Sequence, residues 1–308
     1  MKVAVLMGGR SLERAVSLRS GARVADALAD LGHEAISIDA DESLVARLKD
    51  DRPEVAFIAL HGPGGEDGTV QSLLELLAIP YTGPGVAACV LCIDKVQSKH
   101  RIREAGVPTP DWVAFGADAF RELGAADAIA EIEAELGLPL VVKPAAQGSA
   151  LGVRFAGSAA EVPQALVAAL SYDDRVLIER HVHGRELAVS IIDGEPLPIV
   201  EVIPGSGDEF NYEARYEIGR TADSCPAELG EAEASAVRDV AVRTWEALGC
   251  EGFARVDLIL GPGDVGPQVL EVNSIPGLTD TSLLPMAAEA AGLSFERFVA
   301  RAIELAQR

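Results

Sequence analysis

The chain opens on five consecutive apolar residues, Val3 to Met7, closed by Gly8-Gly9. A short apolar run bounded by turn residues predicts a strand buried on both faces. Helical spacing follows in SLRSGARVADALADLG (17–32), which ends at a glycine. The same alternation then repeats: strand EAISIDA (34–40), helix ESLVARLKD (42–50), strand EVAFIAL (54–60), helix TVQSLLELLA (69–78) and a short strand, PYTG (80–83). Strands alternating with helices predict a doubly wound parallel sheet, whose binding loops lie at the carboxyl ends of the strands. Here those loops are GGRSLERAVS (8–17) and HGPGGEDG (61–68).

Beyond residue 86 the pattern changes. A long helix is predicted over 86–106. Strand WVAF (112–115), a helix over 128–137, strand LVVKPA (140–145), the glycine-rich loop AQGSALG (146–152), strand VRFA (153–156), a helix over 161–171 and strand VLIERHV (176–182) follow. The last part carries strands ELAVSII (186–192) and PLPIVEVI (196–203), an aromatic loop EFNYEARYE (209–217), and a helix over 233–249. Strands GFARVDLIL (252–260) and QVLEVN (268–273) and a closing helix pair complete it. The expected organisation is an N-terminal α/β domain (1–86) followed by two α+β domains (87–181 and 182–308).

The formal net charge is −22 over 308 residues, and no basic stripe stands out, which argues against a nucleic-acid partner. No apolar run approaches the roughly 20 residues that cross a bilayer, and MKVAVLMGG leads straight into a strand, so a cytoplasmic protein without a membrane partner is expected. Cys89 and Cys92 form a C-x-x-C in an apolar helical setting, read as buried thiols rather than a metal or redox site. Lysine is scarce: only Lys2, Lys49, Lys95, Lys99 and Lys143 occur. Keeping Lys95 and Lys143 in an arginine-rich chain suggests a need for compact point charges.

In VLEVNSIPG (269–277), alternation puts Glu271 and Asn273 on one strand face before a Pro-Gly break. In the preceding strand Arg255 and Asp257 alternate likewise. Were the two strands antiparallel neighbours, Asp257, Glu271 and Asn273 would converge as all-oxygen ligands suited to Mg²⁺, with Arg255 beside a developing anion. A solvated strand face is the alternative. In KPAAQGSALG (143–152), Lys143 at a strand end precedes a loop whose backbone N–H groups suit phosphate, although no Walker motif is present. A glycine-rich hairpin without function is the alternative there. VLIERHVHGRE, with Glu179 and then Glu186, would suit an interdomain hinge whose backbone groups meet an adenine and whose carboxylate meets a ribose.

Taken in order, HGPGGEDG, Lys95, VVKPAAQGSALGV, LIERHVHGRE, NYEARY, RVD and LEVNSIPG resemble the D-alanine–D-alanine ligase family of ATP-grasp enzymes, over the whole chain. The resemblance implies an ATP-grasp fold, with two α+β domains sandwiching ATP. It implies two Mg²⁺ ions (Mn²⁺ as a substitute) on Asp257, Glu271 and Asn273, Lys95 and Lys143 on the phosphates, and Glu179, Val182 and Glu186 at the adenosine end. It further implies Arg255, Ser149 and Tyr216 as catalytic residues, Tyr216 closing with its loop on Ser149. His61, Glu13, Gly277, Ser282 and Leu283 would meet the substrates. The implied reaction joins two D-alanines for cell-wall synthesis, in a homodimer.

One departure stands out. The family pattern S-x-E-x-E-V-S reads S-L-E-R-A-V-S here, with Glu13 present and Ala15 in place of the second acid. The resemblance assigns that acid the first substrate's ammonium and a link to Ser149 and Tyr216. Ala15 is read either as a tolerated change, with water or Glu66 standing in, or as the mark of a different amino-acid substrate. A non-catalytic nucleotide-binding protein is the remaining reading, and the three intact oxygen ligands disfavour it.

Overall fold

A computed structural model describes residues 1–122, 124, 129–203 and 223–308. In the N-terminal part, β1 (Lys2–Met7), β2 (Glu34–Asp39) and β3 (Val55–Ile58) form a parallel sheet of order β2-β1-β3. Helices α1 (Arg14–Asp30), α2 (Leu44–Asp51) and α3 (Thr69–Leu76) connect and cover it. Leu44 and Leu48 of α2 pack with Val70 and Leu74 of α3 on one face. Val24 and Leu28 of α1 pack on the other. The sheet is therefore doubly wound, as its alternating pattern predicts.

The predicted helix over 86–106 is two helices, α4 (Val86–Ile93) and α5 (Lys95–Glu104). Asp94 between them is extended, and its carboxylate accepts from Val96 and Gln97 N–H while pairing with Arg175 at 2.5 Å. That N-cap starts a new helix inside a stretch whose residue types suit helix on both sides.

A second sheet of order β4-β7-β5-β6 is antiparallel throughout. It is built from β4 (Trp112–Gly116), β5 (Leu140–Pro144), β6 (Arg154–Ala156) and β7 (Arg175–Arg180). Helices α6 (Ala117–Glu122), α7 (Ile129–Leu136) and α8 (Val162–Ala169) lie in the same stretch. The third sheet runs β10-β8-β11-β12, with β9 (Glu195–Pro196) beside β8. Its strands are β8 (Arg185–Ile192), β10 (Val200–Val202), β11 (Phe253–Gly261) and β12 (Gly266–Asn273). Helix α9 (Glu231–Leu248) covers one face, and Cys92, Ile102 and Val107 around α4 and α5 join that core. The closing helices α10 (Leu283–Ala290) and α11 (Phe295–Ala306) return to the N-terminal sheet, where Leu284, Phe298 and Val299 pack with Val5 and Phe57.

All four cysteines are free, with Cys89 and Cys92 buried, as the apolar setting of the C-x-x-C predicts. Among the described residues no helix is long and apolar enough to cross a membrane.

Candidate active site

β11 and β12 are antiparallel neighbours, with Arg255 opposite Asn273 and Asp257 opposite Glu271. Beyond Asp257 the register shifts, and Leu258 pairs with Val269. Simple alternation would put Val269 on the same face as Glu271. The bulge instead turns Val269 and Val272 into the core, while Leu270 and Glu271 line the cleft. Arg255 grips Asp257 with two hydrogen bonds, Nε to Oδ1 and Nη2 to Oδ2, each 2.7 Å, and Asn273 Nδ2 donates to Oδ2 at 2.9 Å. Burial, reinforced by Glu271, raises the Asp257 pKa despite Arg255. Glu271 is pushed up by burial as well, but Lys95 and Lys143 outweigh it and bring the carboxyl below its ordinary range. Two carboxylates and a carboxamide so placed form an oxygen donor set that fits a hard divalent cation completing its shell with phosphate oxygens.

Between the second and third sheets lies a cleft of about 300 Å³. Val141, Val153, Ile259 and Leu270 give it apolar walls, and Lys95, Lys143, Glu179, Val182 and Glu186 all line it. Lys143 sits within β5 and pairs with Glu179 Oε2 at 2.5 Å. Lys95 opens α5, where its N–H donates to Ala145 O at 2.8 Å, and its ammonium meets Glu271 at 3.1 Å and Gln147 O at 2.6 Å. Each cation facing the cleft thus rests on a carboxylate. Glu179 is buried, which favours its neutral form, yet Lys143 and Lys99 hold its pKa below the ordinary value.

A second cleft, of about 440 Å³, adjoins the first, and Glu186, Asp257 and Glu271 line both. Glu13, His61, Ser149, Arg255, Asn273, Gly277, Ser282 and Leu283 line this one. Ser149 donates to Glu13 Oε1, joining the glycine-rich loop to the start of α1. Ser149 and Ala150 both have positive φ (49° and 51°), a conformation that disfavours side chains. Glu13 Oε2 is buried without a hydrogen-bond partner among the described residues. A Cβ on Gly62 would come within 2.4 Å of that oxygen, and one on Gly148 within 2.7 Å. Glycine at both positions leaves room for the carboxylate where it stands, and Gly62 also has a positive φ of 70°. Burial, then Glu66, raises the Glu13 pKa.

This corrects the reading of the departure at position 15. Ser149 is held by Glu13, whereas Ala15 is exposed on α1. No stand-in for a missing acid is required at Ser149. Glu66 lies buried beside the site without bonding Ser149, its Oε1 3.9 Å from His61 Nδ1.

His61 is buried with both ring nitrogens engaged: Nε2 lies 3.0 Å from Ser20 Oγ, and Nδ1 lies 3.0 Å from Ile275 O. A carbonyl only accepts, so Nδ1 donates to Ile275 O. Ser20 Oγ in turn accepts from Leu278 N–H. Arg23 of α1 donates to Leu278 O and Thr279 O, pairs with Asp280 at 3.0 Å and lies over the Phe295 ring. The Pro-Gly loop after β12 is thereby fastened to α1. Ser282 Oγ, at its end, accepts from Thr279 N–H.

Every site residue expected from the sequence lies in one of these two adjoining clefts, apart from Tyr216, which falls outside the described residues together with the rest of EFNYEARYE. Reading the sequence missed Lys99, Ser20 and Arg23. The scarcity of lysine was a usable signal for Lys99. Ser20 and Arg23 carry none, because polar residues on a helix ordinarily face water.

Residues 102–304 match the family model described as "D-ala D-ala ligase C-terminus", and residues 41–84 match "D-ala D-ala ligase N-terminus". A D-alanine–D-alanine ligase of Moorella thermoacetica is 43% identical over 309 residues, covering 99% of each chain. Among solved structures, the D-alanine–D-alanine ligase of Bacillus anthracis complexed with ATP superposes with a TM-score of 0.85 at 34% identity, covering 100% of this chain and 98% of that one. The VanG D-Ala:D-Ser ligase of Enterococcus faecalis gives 0.83 at 28% identity, covering 99% of both. With full-length relatives above 40% identity and family models matching both ends, the chain belongs to the D-alanine–D-alanine ligase family.

Proposed function

We propose that this chain joins two D-alanines, with ATP converted to ADP and phosphate, in support of peptidoglycan precursor synthesis. The observation that carries the reading is the meeting of the two clefts at Asp257 and Glu271. The first cleft has apolar walls for a flat base and two lysines for phosphates. The second has a buried acceptor, Glu13 Oε2, and the cation Arg255. ATP in the first and amino acids in the second would place a γ-phosphate beside a substrate carboxylate.

In this reading Lys143 and Lys95 exchange their carboxylate partners for phosphate oxygens, and Glu179, the Val182 backbone and Glu186 hold the adenosine. Asp257, Glu271 and Asn273 would hold two Mg²⁺ ions, which offset phosphate charge and keep the transferring group in line. Glu13 Oε2 accepts from the first amino acid's ammonium. That substrate's carboxylate oxygen attacks the γ-phosphorus, the bond to ADP breaks, and an acyl phosphate forms. The second amino acid's free amine attacks the acyl carbon, and phosphate leaves with the carboxylate-derived oxygen and takes up the proton the nitrogen gives up. Arg255 steadies the oxyanion of the tetrahedral intermediate. His61, with both nitrogens occupied, positions the loop at 275–278. Ser282, Leu283 and Gly277 seat the second carboxylate. Ser149 and Tyr216 close over the site and exclude water, which would hydrolyse the acyl phosphate.

Three units at 1–86, 87–181 and 182–308 are part of this reading, with α4 and α5 packing in the core of the third and α10 and α11 against the first; a cytoplasmic homodimer is the expected assembly, and light scattering on the purified chain tests the dimer. Mass spectrometry of the product tests the activity. D-alanyl-D-alanine made with Mg-ATP supports it. A product formed only with another amino acid would move the reading to a different dipeptide ligase, and ATP binding without product to a non-catalytic role.

A further inference from the structure

Lys99 is a charge that the reaction above does not use. Its side chain is 0% exposed, and it does not line the nucleotide cleft. It stands one helical turn after Lys95 on α5, so both ammonium groups leave the same face of that helix. Lys95 reaches Glu271, and Lys99 reaches Glu179 Oε1 at 2.5 Å. It also donates to Thr109 Oγ1 at 2.5 Å and lies 5.0 Å from the centre of the Trp112 ring. Thr109 Oγ1 in turn donates to Val269 O, at 2.8 Å, on β12. Glu179 therefore sits between two ammonium groups, Lys143 on the cleft side and Lys99 behind it.

The two cations differ in freedom. Lys143 lines the cleft, and phosphates can draw it away. Lys99 has no route to the cleft and is fixed by Thr109. A buried carboxylate that loses its only cation takes up a proton. With Lys99 behind it, Glu179 remains an anion when Lys143 leaves. An anionic carboxylate only accepts hydrogen bonds, whereas a carboxylic acid also donates. The distinction matters at a purine, whose 6-position carries either an amino donor or an oxo acceptor.

We propose that Lys99 is a positioning and specificity residue: it fixes Glu179 as an acceptor, so that the cleft takes a 6-amino purine nucleotide and rejects a 6-oxo one. This rests on the reading of the cleft as the nucleotide site with Glu179 at the base. Burial lowers the Lys99 pKa to about 8 even with Glu179 beside it, so the position is costly and a neutral side chain would be easier to bury there.

The test measures dissociation constants of ADP and IDP by calorimetry, and ATP KM and kcat separately, in the wild-type chain and in Lys99→Met, Lys99→Arg and Glu179→Gln. In Lys99→Met the preference for ADP over IDP narrows about tenfold or more, ATP KM rises more than kcat falls, and Lys99→Arg recovers part of the preference. An unchanged preference in Lys99→Met, with Glu179→Gln narrowing it, would overturn the role of Lys99 while leaving the nucleotide site standing. Wild-type nucleotide affinity and preference in Glu179→Gln would remove the reading of Glu179 at the base, and the role of Lys99 with it. Should Lys99→Met not fold, Thr109→Val removes only the hydroxyl that orients the ammonium. It narrows the preference about threefold, and an unchanged preference there overturns the proposal.

Discussion

Asp257 and Glu271 stand opposite each other across β11 and β12, and each is held by a cation from a different element: Arg255 two residues away on β11, and Lys95 at the start of α5. Two facing carboxylates repel, and these two share a cleft wall only because each is neutralised. A divalent ion binding both would take over that task. Asp257→Asn and Glu271→Gln should each lower kcat by at least about a hundredfold. Phosphate release across a Mg²⁺ titration measures this. Full activity in either variant at low Mg²⁺ would remove that residue from the ligand set.

Lys143 and Glu179 form a buried ion pair. Lys143→Met removes a charged partner for phosphate, so ATP KM should rise roughly tenfold to a hundredfold. Lys99 still faces Glu179, so folding stability should fall by only about 1–3 kcal/mol. Urea unfolding measures the second quantity. A drop of the size expected for a wholly unpaired buried charge would show that Lys99 does not neutralise Glu179.

Glu13, rather than residue 15, bonds Ser149. Glu13→Gln should lower kcat/KM for the first amino acid by about tenfold or more. Ala15→Glu, on an exposed position, should change it no more than about twofold. Steady-state kinetics with D-alanine decide between them. A large gain in Ala15→Glu would mean that the acid missing from the family pattern matters to substrate choice.

Much of the fold is legible in sequence because its strands are short apolar runs closed by Gly and Pro. The ordered motifs likewise mark nearly every residue that the two clefts bring together. What the pattern hides is tertiary. The break at Asp94 depends on a side-chain cap inside a stretch whose residue types suit helix on both sides. The bulge after Asp257 changes which of Val269, Leu270 and Glu271 face the cleft, and no residue type announces it. The return of α10 and α11 to the N-terminal sheet joins residues such as Phe298 and Val5, which lie far apart along the chain.

Arg23 ties α1 to the loop that leads to Ser282. Arg23→Met releases two carbonyls and an ion pair. It should raise the KM of the second amino acid about threefold to tenfold while leaving ATP KM near wild type. Equal rises in both would mean a general loss of domain packing instead.

Asp39 pairs with Arg14, whose hydrogen bonds lower its pKa from 3.8 to about 2. Between those values the unfolded chain takes up a proton that the folded chain does not, so the stabilisation is present above pH 3.8 and is lost as pH falls towards 2. The pair is largely exposed, so solvent screening keeps its contribution small. Asp39→Asn should therefore have a shallower fall in Tm with acid than wild type below pH 5. Parallel Tm curves for the two proteins would deny the linkage.

The central claim is that a substrate carboxylate is phosphorylated where the two clefts meet. D-alanine labelled with ¹⁸O in its carboxylate, turned over with Mg-ATP, tests it directly. The account predicts one labelled oxygen in each phosphate released and labelled D-alanyl-D-alanine as the product. Unlabelled phosphate accompanying dipeptide formation would contradict it, since the acyl oxygen would then never have been bonded to phosphorus.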